Sequence, residues 1–216
     1  MPEPLEIEGK FACEPEDLER LLALDRIGDF RLTERDERIQ TDTYFDTPSL
    51  ALRGASSSLR LREIGSAVKA TFKGARQAVS AVSAESHLIQ RLELEVPVVP
   101  APADHEAFLA RLDLAPVARA RELAGTAELR PIARLVTFRR MLHYARSNGE
   151  TVELSLDTVD ALDLRDNRAT QIVEVELELT QGTAATLIAA ATALNAAIPT
   201  LRPSHASKLA RTLGDA

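Results

Sequence analysis

Apolar and polar residues alternate one for one along eight stretches of the chain: 5–12, 38–46, 57–64, 67–74, 86–97, 132–145, 151–161 and 170–180. A period of two is the mark of a β-strand whose two faces meet different surroundings. Short turn signals join several of these runs, among them Gly65-Ser66, Asn148-Gly149 and the polar stretch 163–169. Such short links imply antiparallel neighbours. Four further segments repeat at helical spacing. Residues 15–27 place Leu18, Leu21 and Leu22 on one face after an acidic opening, and 104–112 do the same with Phe108, Leu109 and Leu112. An Ala- and Leu-rich run at 184–197 and a short run at 204–213 complete the set. The Gly/Ala/Ser-rich stretch 75–84 reads as a connecting loop, and Ala101-Pro102 as a joint between two halves of the fold.

The polar faces of the strands are unusually charged. The first strand carries Glu6, Glu8 and Lys10, the third Arg60 and Arg62, the fourth Thr71 and Lys73. The fifth shows Arg91, Glu93 and Glu95, the seventh Glu153, Ser155 and Asp157, the eighth Glu174, Glu176 and Glu178. Neighbours at i and i+2 on one face are close, so a row of three glutamates repels itself unless cations lie among it. The apolar faces have partners in the four amphipathic helices, which must bury their own stripes. Helices outside and charges inside define an α+β fold, an eight-stranded antiparallel barrel wide enough for one small ligand. A charged interior is costly unless its groups are paired or bind ions, so it implies function.

Composition narrows the classes. The chain has 216 residues, 45% hydrophobic and 27% charged, and is expected to form one domain over 1–216. Its net charge of -7 argues against a nucleic-acid partner but leaves room for a local basic pocket. Cys13 is the single cysteine, which excludes an internal disulfide and a thiolate cluster. No run is long and apolar enough to span a bilayer, and the first residues lack the pattern of a signal peptide. A cytoplasmic location without membrane partners is expected.

The order of short motifs resembles one family throughout. Glu6-Ile7-Glu8-Gly9-Lys10 is similar to the ExExK signature of the CYTH family, the triphosphate tunnel metalloenzymes. Tyr44-Phe45-Asp46-Thr47-Pro48 resembles its YFDTP segment, Leu59-Arg60-Leu61-Arg62 its LRxR strand, and Thr71-Phe72-Lys73 its lysine strand. Arg91-x-Glu93-x-Glu95 follows, then Arg134 and Thr137-Phe138-Arg139, the acidic strands 153–157 and 174–178, and Ser207-Lys208. The resemblance runs from residue 5 to about 211. It implies an eight-stranded tunnel, dependence on Mg²⁺ or Mn²⁺, and hydrolysis or rearrangement of a small triphosphate.

The resemblance also assigns roles. Arg60, Arg62, Lys73, Arg91, Arg134 and Arg139 would cradle phosphates, with Lys208 at one mouth. Strict alternation puts Arg134 and Arg140 on one face, whereas the family pattern favours Arg139, so a bulge is one way to reconcile them. Glu6, Glu8, Asp157, Glu176 and Glu178 would hold the metal, with Glu153 and Glu174 as secondary candidates. Lys10 and Glu8 are the catalytic candidates; Lys10 either orients and deprotonates water or simply pairs with the glutamates around it. His87, His105, His143 and His205 show no metal spacing, Gly9 and Gly74 no phosphate-loop pattern, and Tyr44 and Cys13 read as packing residues.

Inorganic tripolyphosphate is the first substrate expected, because two tyrosines and no tryptophan leave little platform for an organic base. The alternatives are thiamine triphosphate, cyclic AMP formation as in class IV adenylyl cyclases, and a non-catalytic polyphosphate- or nucleotide-binding module. The familiar cyclases carry an HF element before the signature, which this chain lacks. Retained acidic strands argue against the binding module. No second helical domain is expected after Ala216, and a homodimer through the helical exterior is compatible with this reading.

Overall fold

A computed structural model describes residues 5–78 and 88–214. The strands are β1 (Leu5–Ala12), β2 (Arg26–Ile27), β3 (Phe30–Asp46), β4 (Ser58–Ile64), β5 (Ala67–Ala78), β6 (Leu88–Pro97), β7 (Arg130–Ala145), β8 (Thr151–Asp163), β9 (Arg168–Gln181) and β10 (Arg202–Pro203). The helices are α1 (Pro15–Leu22), α2 (Ala51–Gly54), α3 (His105–Leu109), α4 (Ala115–Ala124), α5 (Ala184–Ala197) and α6 (Lys208–Thr212).

Eight strands form a closed antiparallel ring in the order β1-β6-β5-β4-β3-β7-β8-β9, and β9 returns to pair with β1. Closure leaves none of these strands with a free edge, and it gives the pleat an inside and an outside. The inward face carries the charged series at Glu6, Glu8 and Lys10 and its counterparts on the other strands. The outward face carries the apolar series, most of which two sets of helices cover, while Ile39, Val136 and Phe138 on β3 and β7 stay exposed. Leu187, Ala190 and Leu194 of α5 and Leu21 of α1 bury Phe11, Leu142, Leu154, Val175 and Leu177. Phe108 of α3 and Val117, Ala120 and Ala124 of α4 bury Leu59, Leu61, Ala70 and Phe72. Alternation of apolar and charged positions therefore sorts most of the wall between helix and lumen.

Several boundaries differ from the sequence pattern for identifiable reasons. The first helix ends at Leu22 rather than 27, because Ile27 is fully buried in β2 beside Phe30. Gly28 makes the turn between them at φ +56, where a Cβ would come within 2.9 Å of Ala193 on α5. β3 starts eight residues before the expected strand, at Phe30 instead of 38, since its first half pairs with β7. The second expected helical segment, 104–112, holds only His105–Leu109, with Asp104 as N-cap accepting from Ala107 at 2.8 Å. Helix α4 was not expected, as Pro116 in its first turn and the arginines at 119 and 121 obscure its apolar stripe. The expected loop at 75–84 is strand as far as Ala78, and 79–84 lie outside the described residues, as do 86 and 87 of the fifth expected strand. Among the described residues no helix is long and apolar enough to cross a membrane.

The candidate active site

The lumen opens into a cavity of about 1040 Å³ lined by ten lysine and arginine side chains and seven glutamates. Three further acids, Glu8, Asp42 and Asp157, lie behind that lining and are almost wholly buried. A chain of net charge -7 thus gathers ten cations in one lumen, where the seven lining glutamates and the three acids behind them balance their charge. That local balance departs from the acidic average of the chain.

The charges form an alternating circuit around the wall. Arg62 grips Asp42 with two hydrogen bonds of 2.7 and 2.8 Å, and Arg60 stands 3.7 Å from the same carboxylate. Arg60 reaches toward Glu93 at 3.8 Å, and Glu93 lies 3.3 Å from Lys73. Lys73 donates to both oxygens of Glu6 at 2.7 Å, and Arg91 bridges Glu6, at 2.9 Å, and Glu8. Lys10 then joins Glu8, 3.0 Å away, to Glu176. Arg139 connects Glu176 at 2.6 Å to Asp157 at 2.8 and 2.6 Å, and Lys208 closes on Asp157 at 2.8 Å and Glu174 at 2.6 Å. Each cation faces carboxylates from neighbouring strands, which is how the barrel holds charge away from water.

This circuit shifts the groups in it. Burial would raise the Glu6 carboxyl, but Lys73 and Arg91 outweigh it and hold the group far below the usual range. Burial likewise opposes the charge on Lys10, and Glu176, Glu8 and Glu174 reverse that, so its ammonium is kept. Lys73 is the exception: burial, then Arg91 beside it, leaves its pKa lowered. Glu178 is pushed up to about 7 by burial and then by Glu6 and Glu153, and among the described residues no lysine or arginine lies within ion-pair distance of it. Arg60 keeps its Nε buried without a hydrogen-bond partner, and so does Glu174 with its Oε2, which has Arg211 at 3.9 Å. Both are buried polar atoms that the circuit leaves without a hydrogen bond.

Of the expected phosphate contacts, the structure brings Arg60, Arg62, Lys73, Arg91, Arg139 and Lys208 onto the lumen wall. It does not bring Arg134 there. Arg134 is exposed on the outer face of β7, in register with Thr43, while Arg139 points inward beside Asp157. The β7–β8 register runs without a shift from Ala133 to Ala145, so plain alternation, and no bulge, separates Arg139 from Arg134 and Arg140. All five expected metal carboxylates, Glu6, Glu8, Asp157, Glu176 and Glu178, face the lumen, as do Glu153 and Glu174. Four of the five are engaged by cations, and among the described residues no three carboxylate or imidazole groups converge as a ready-made ion cage. Hard oxygen donors alone line the acidic wall, with Glu178 and Glu153 crowded and Glu174 Oε2 unmet, a set that suits Mg²⁺ or Mn²⁺.

Two wall residues, Arg38 and Asp42, lie outside the set expected from the sequence, and Glu93, expected on the charged face, gains a role. Arg38 lines the cavity on β3, and burial, then Arg139 and Arg62 beside it, lower its pKa. Asp42 organises Arg60 and Arg62, and Glu93 connects Arg60 to Lys73. The signal was present: Arg38, Gln40, Asp42 and Tyr44 alternate with Ile39, Thr41 and Thr43. Tyr44 is indeed packed, in an apolar stretch of the inner wall with Leu135, Val159 and Ile172. Cys13 is half-buried, and burial, then Asp17 and Glu14, push its thiol up to about 11, which leaves it inert.

A closed barrel with an inward circuit of charges has the architecture of a tunnel. The chain belongs to the CYTH family, whose domain model matches residues 4–213. Solved structures agree in fold. An adenylyl cyclase candidate from Hippeastrum, HpAC1, described as having a dominant triphosphatase activity, superposes with TM-score 0.66 at 19% identity, covering 96% of this chain and 95% of its own. A candidate adenylate cyclase from Bacillus halodurans gives 0.63 at 21% identity, with 98% of both chains covered. A protein of Pyrococcus horikoshii gives 0.56 at 19% identity, covering 96% and 98%. Comparison with curated proteins finds no match.

Proposed function

We propose that this protein is a metal-dependent triphosphatase whose preferred substrate is inorganic tripolyphosphate. The observation that carries the reading is the gathering of ten of the chain's 26 lysines and arginines on the wall of one lumen, in a protein that is acidic as a whole. A triphosphate brings enough negative charge to replace carboxylates as the partner of several of these cations at once. The dominant triphosphatase activity described for the Hippeastrum relative supports the same direction.

Arg60, Arg62, Arg91 and Arg139 would bind phosphoryl oxygens through their planar forks, with Arg38 as a further contact and Lys73 and Lys208 as point charges. Glu6, Glu8, Asp157, Glu176 and Glu178 would hold Mg²⁺ or Mn²⁺. A bound divalent ion would polarise the phosphoryl oxygens and help supply the attacking water. Lys10, buried among Glu8, Glu174 and Glu176, stays an ammonium, so it would orient water or stabilise charge rather than serve as a base. Most of the catalysis would then be positioning and neutralisation in a space with little water.

Phosphate release from tripolyphosphate, thiamine triphosphate and ATP, each with Mg²⁺, Mn²⁺ or EDTA, tests this, with cyclic AMP followed in the ATP reactions. Metal-dependent release that is fastest from tripolyphosphate is the expected result. Cyclic AMP with matching pyrophosphate would make the protein a cyclase. Tight tripolyphosphate binding without turnover would make the tunnel a binding site.

A further inference from the structure

A second polar cluster lies outside the circuit, where β8 turns into β9. Asp163, wholly buried at the end of β8, accepts from Arg165 at Nε (2.9 Å) and Nη2 (2.6 Å), and Arg168 stands 3.6 Å away. Both guanidiniums reach past this carboxylate to the last carbonyls of α6. Arg168 donates to Thr212 O at 2.7 Å and Arg165 to Leu213 O at 3.2 Å. Carbonyls at a helix C-terminus have no intrahelical donor, and cationic donors there also suit the helix dipole.

Helix α6 depends on such support. Five residues are too few to hold a helix in water by backbone bonds alone. Its apolar side, Leu209 and Leu213, rests on Tyr44, Leu135, Val159 and Ile172 of the inner wall. Its first residue, Lys208, reaches Asp157, Glu174 and Glu176 at 2.8, 2.6 and 3.0 Å. The same two strands supply both ends of this arrangement. On β8, Asp157 meets Lys208 and Asp163 anchors the clamp; on β9, Glu174 meets Lys208 and Arg168 holds the helix end.

We propose that Asp163, Arg165 and Arg168 are positioning residues that seat Lys208 in the tunnel by gripping the C-terminal carbonyls of α6. The inference rests on the reading of Lys208 as a phosphate contact. Losing the clamp frees the helix end while leaving the charged strands of the wall in place, and among the lining residues that α6 and its N-cap carry, Ser207, Lys208, Leu209 and Ala210, only Lys208 is charged.

The test compares Arg165→Ala/Arg168→Ala, Lys208→Ala and the triple variant, with tripolyphosphate as substrate. The double arginine variant is expected to raise KM about tenfold, with a smaller change in kcat, and to add nothing in the Lys208→Ala background. Trypsin cleavage after Lys208 in the metal- and substrate-free protein, followed by mass spectrometry, is expected to quicken at least about tenfold. Arg165→Lys/Arg168→Lys, which keeps donors at the carbonyls, is expected to recover most of both effects. Undiminished arginine effects without Lys208, or unchanged cleavage, would overturn the proposal. If the wild-type protein fails to hydrolyse tripolyphosphate, the functional reading falls, and the cleavage rate alone still decides for or against the clamp.

Discussion

Lys73 Nζ lies 2.7 Å from both carboxylate oxygens of Glu6, so a cation suited to phosphate and a carboxylate suited to metal occupy each other. The same holds for Arg139 with Asp157 and Glu176. Metal and triphosphate arriving together satisfy both partners, whereas either alone strands one of them. Calorimetry is expected to show each ligand tightening the other by the same factor, on the order of 10- to 100-fold. Independent binding of Mg²⁺ and tripolyphosphate would rule this coupling out.

Glu6→Gln separates the two roles. It removes one metal oxygen's charge and releases Lys73 and Arg91, so turnover with Mg²⁺ is expected to fall roughly 100-fold or more. In EDTA the same variant is expected to bind tripolyphosphate more tightly than the wild type. Circular dichroism checks that the barrel is intact. Full turnover would take Glu6 out of the metal site.

Two of the four arginines of β7 give a contrast within one strand. Arg139 is buried against Asp157 and Glu176, and Arg134 is exposed on the opposite face. Arg139→Ala is expected to raise KM for tripolyphosphate by about 100-fold, given the loss of a charged bidentate donor. Arg134→Ala is expected to leave KM within about twofold, as surface substitutions do. Similar losses in both would mean that exposure does not track phosphate contact.

Alternation alone carried most of the barrel, because inward charge and outward apolar side chains follow the pleat along most of the wall, the inner stretch of Leu135, Val159 and Ile172 apart. It also carried most of the wall, since Glu6, Arg60, Lys73, Arg91 and Glu176 need only the correct face. What escaped lies where partners are remote in sequence. The pairing of Asp42 with Arg62, and of Glu93 with Arg60 and Lys73, requires the closed register of β3 through β6. Arg134 went astray for the reverse reason: a motif outweighed the parity that the same strand displays. Helix α6 is legible as the short run 204–213, but its seat is not, because Arg165 and Arg168, which donate to its last carbonyls, lie more than 40 residues upstream.

Asp42 makes the stability of the barrel sensitive to acid. Burial would raise its carboxyl, but Arg60 and Arg62 bring it down to about 2 from an ordinary 3.8. The folded state thus binds this proton less readily than the unfolded chain does. The resulting stabilisation, about 2 kcal/mol, is complete above pH 4 to 5 and is lost as pH falls toward 2. Urea unfolding across this range is expected to show Asp42→Asn less stable than the wild type near neutrality, with the gap closing below pH 3. A gap that stays constant with pH would assign the loss to packing instead.

Asp46 explains why the YFDTP segment has an acid at its centre. Its two oxygens accept from the backbone of Thr47 (2.7 Å), Leu52 (2.9 Å) and Arg53 (3.0 Å), and Thr47 Oγ1 accepts from Ala51 at 2.9 Å. These bonds hold α2 and the turn that carries Ser56, Ser57 and Ser58 to the rim of the cavity. Asp46→Ala strands three backbone donors and is expected to cost about 2 kcal/mol or more, read as a fall in Tm. KM is expected to rise with it, because the rim loses its support. A drop in Tm without any change in KM would show that the rim does not touch substrate.

The composition of the cavity bears on substrate choice. Tyr44 supplies its only Phe, Tyr or Trp ring among the described residues, and that ring is packed against Leu135 and Val159. Ser56, Ser57, Ser58, Lys69 and Glu95 line much of the remainder. Such a surface binds phosphoryl oxygens and water but gives an adenine or thiazole ring no face to stack on. A site without that platform gains nothing from the organic part of ATP and loses the freedom to seat all three phosphates. The kcat/KM for tripolyphosphate is therefore expected to exceed that for ATP by at least about tenfold, with ADP and phosphate as the ATP products. Equal values, or cyclic AMP accumulating with pyrophosphate, would show that the barrel recognises the nucleoside after all.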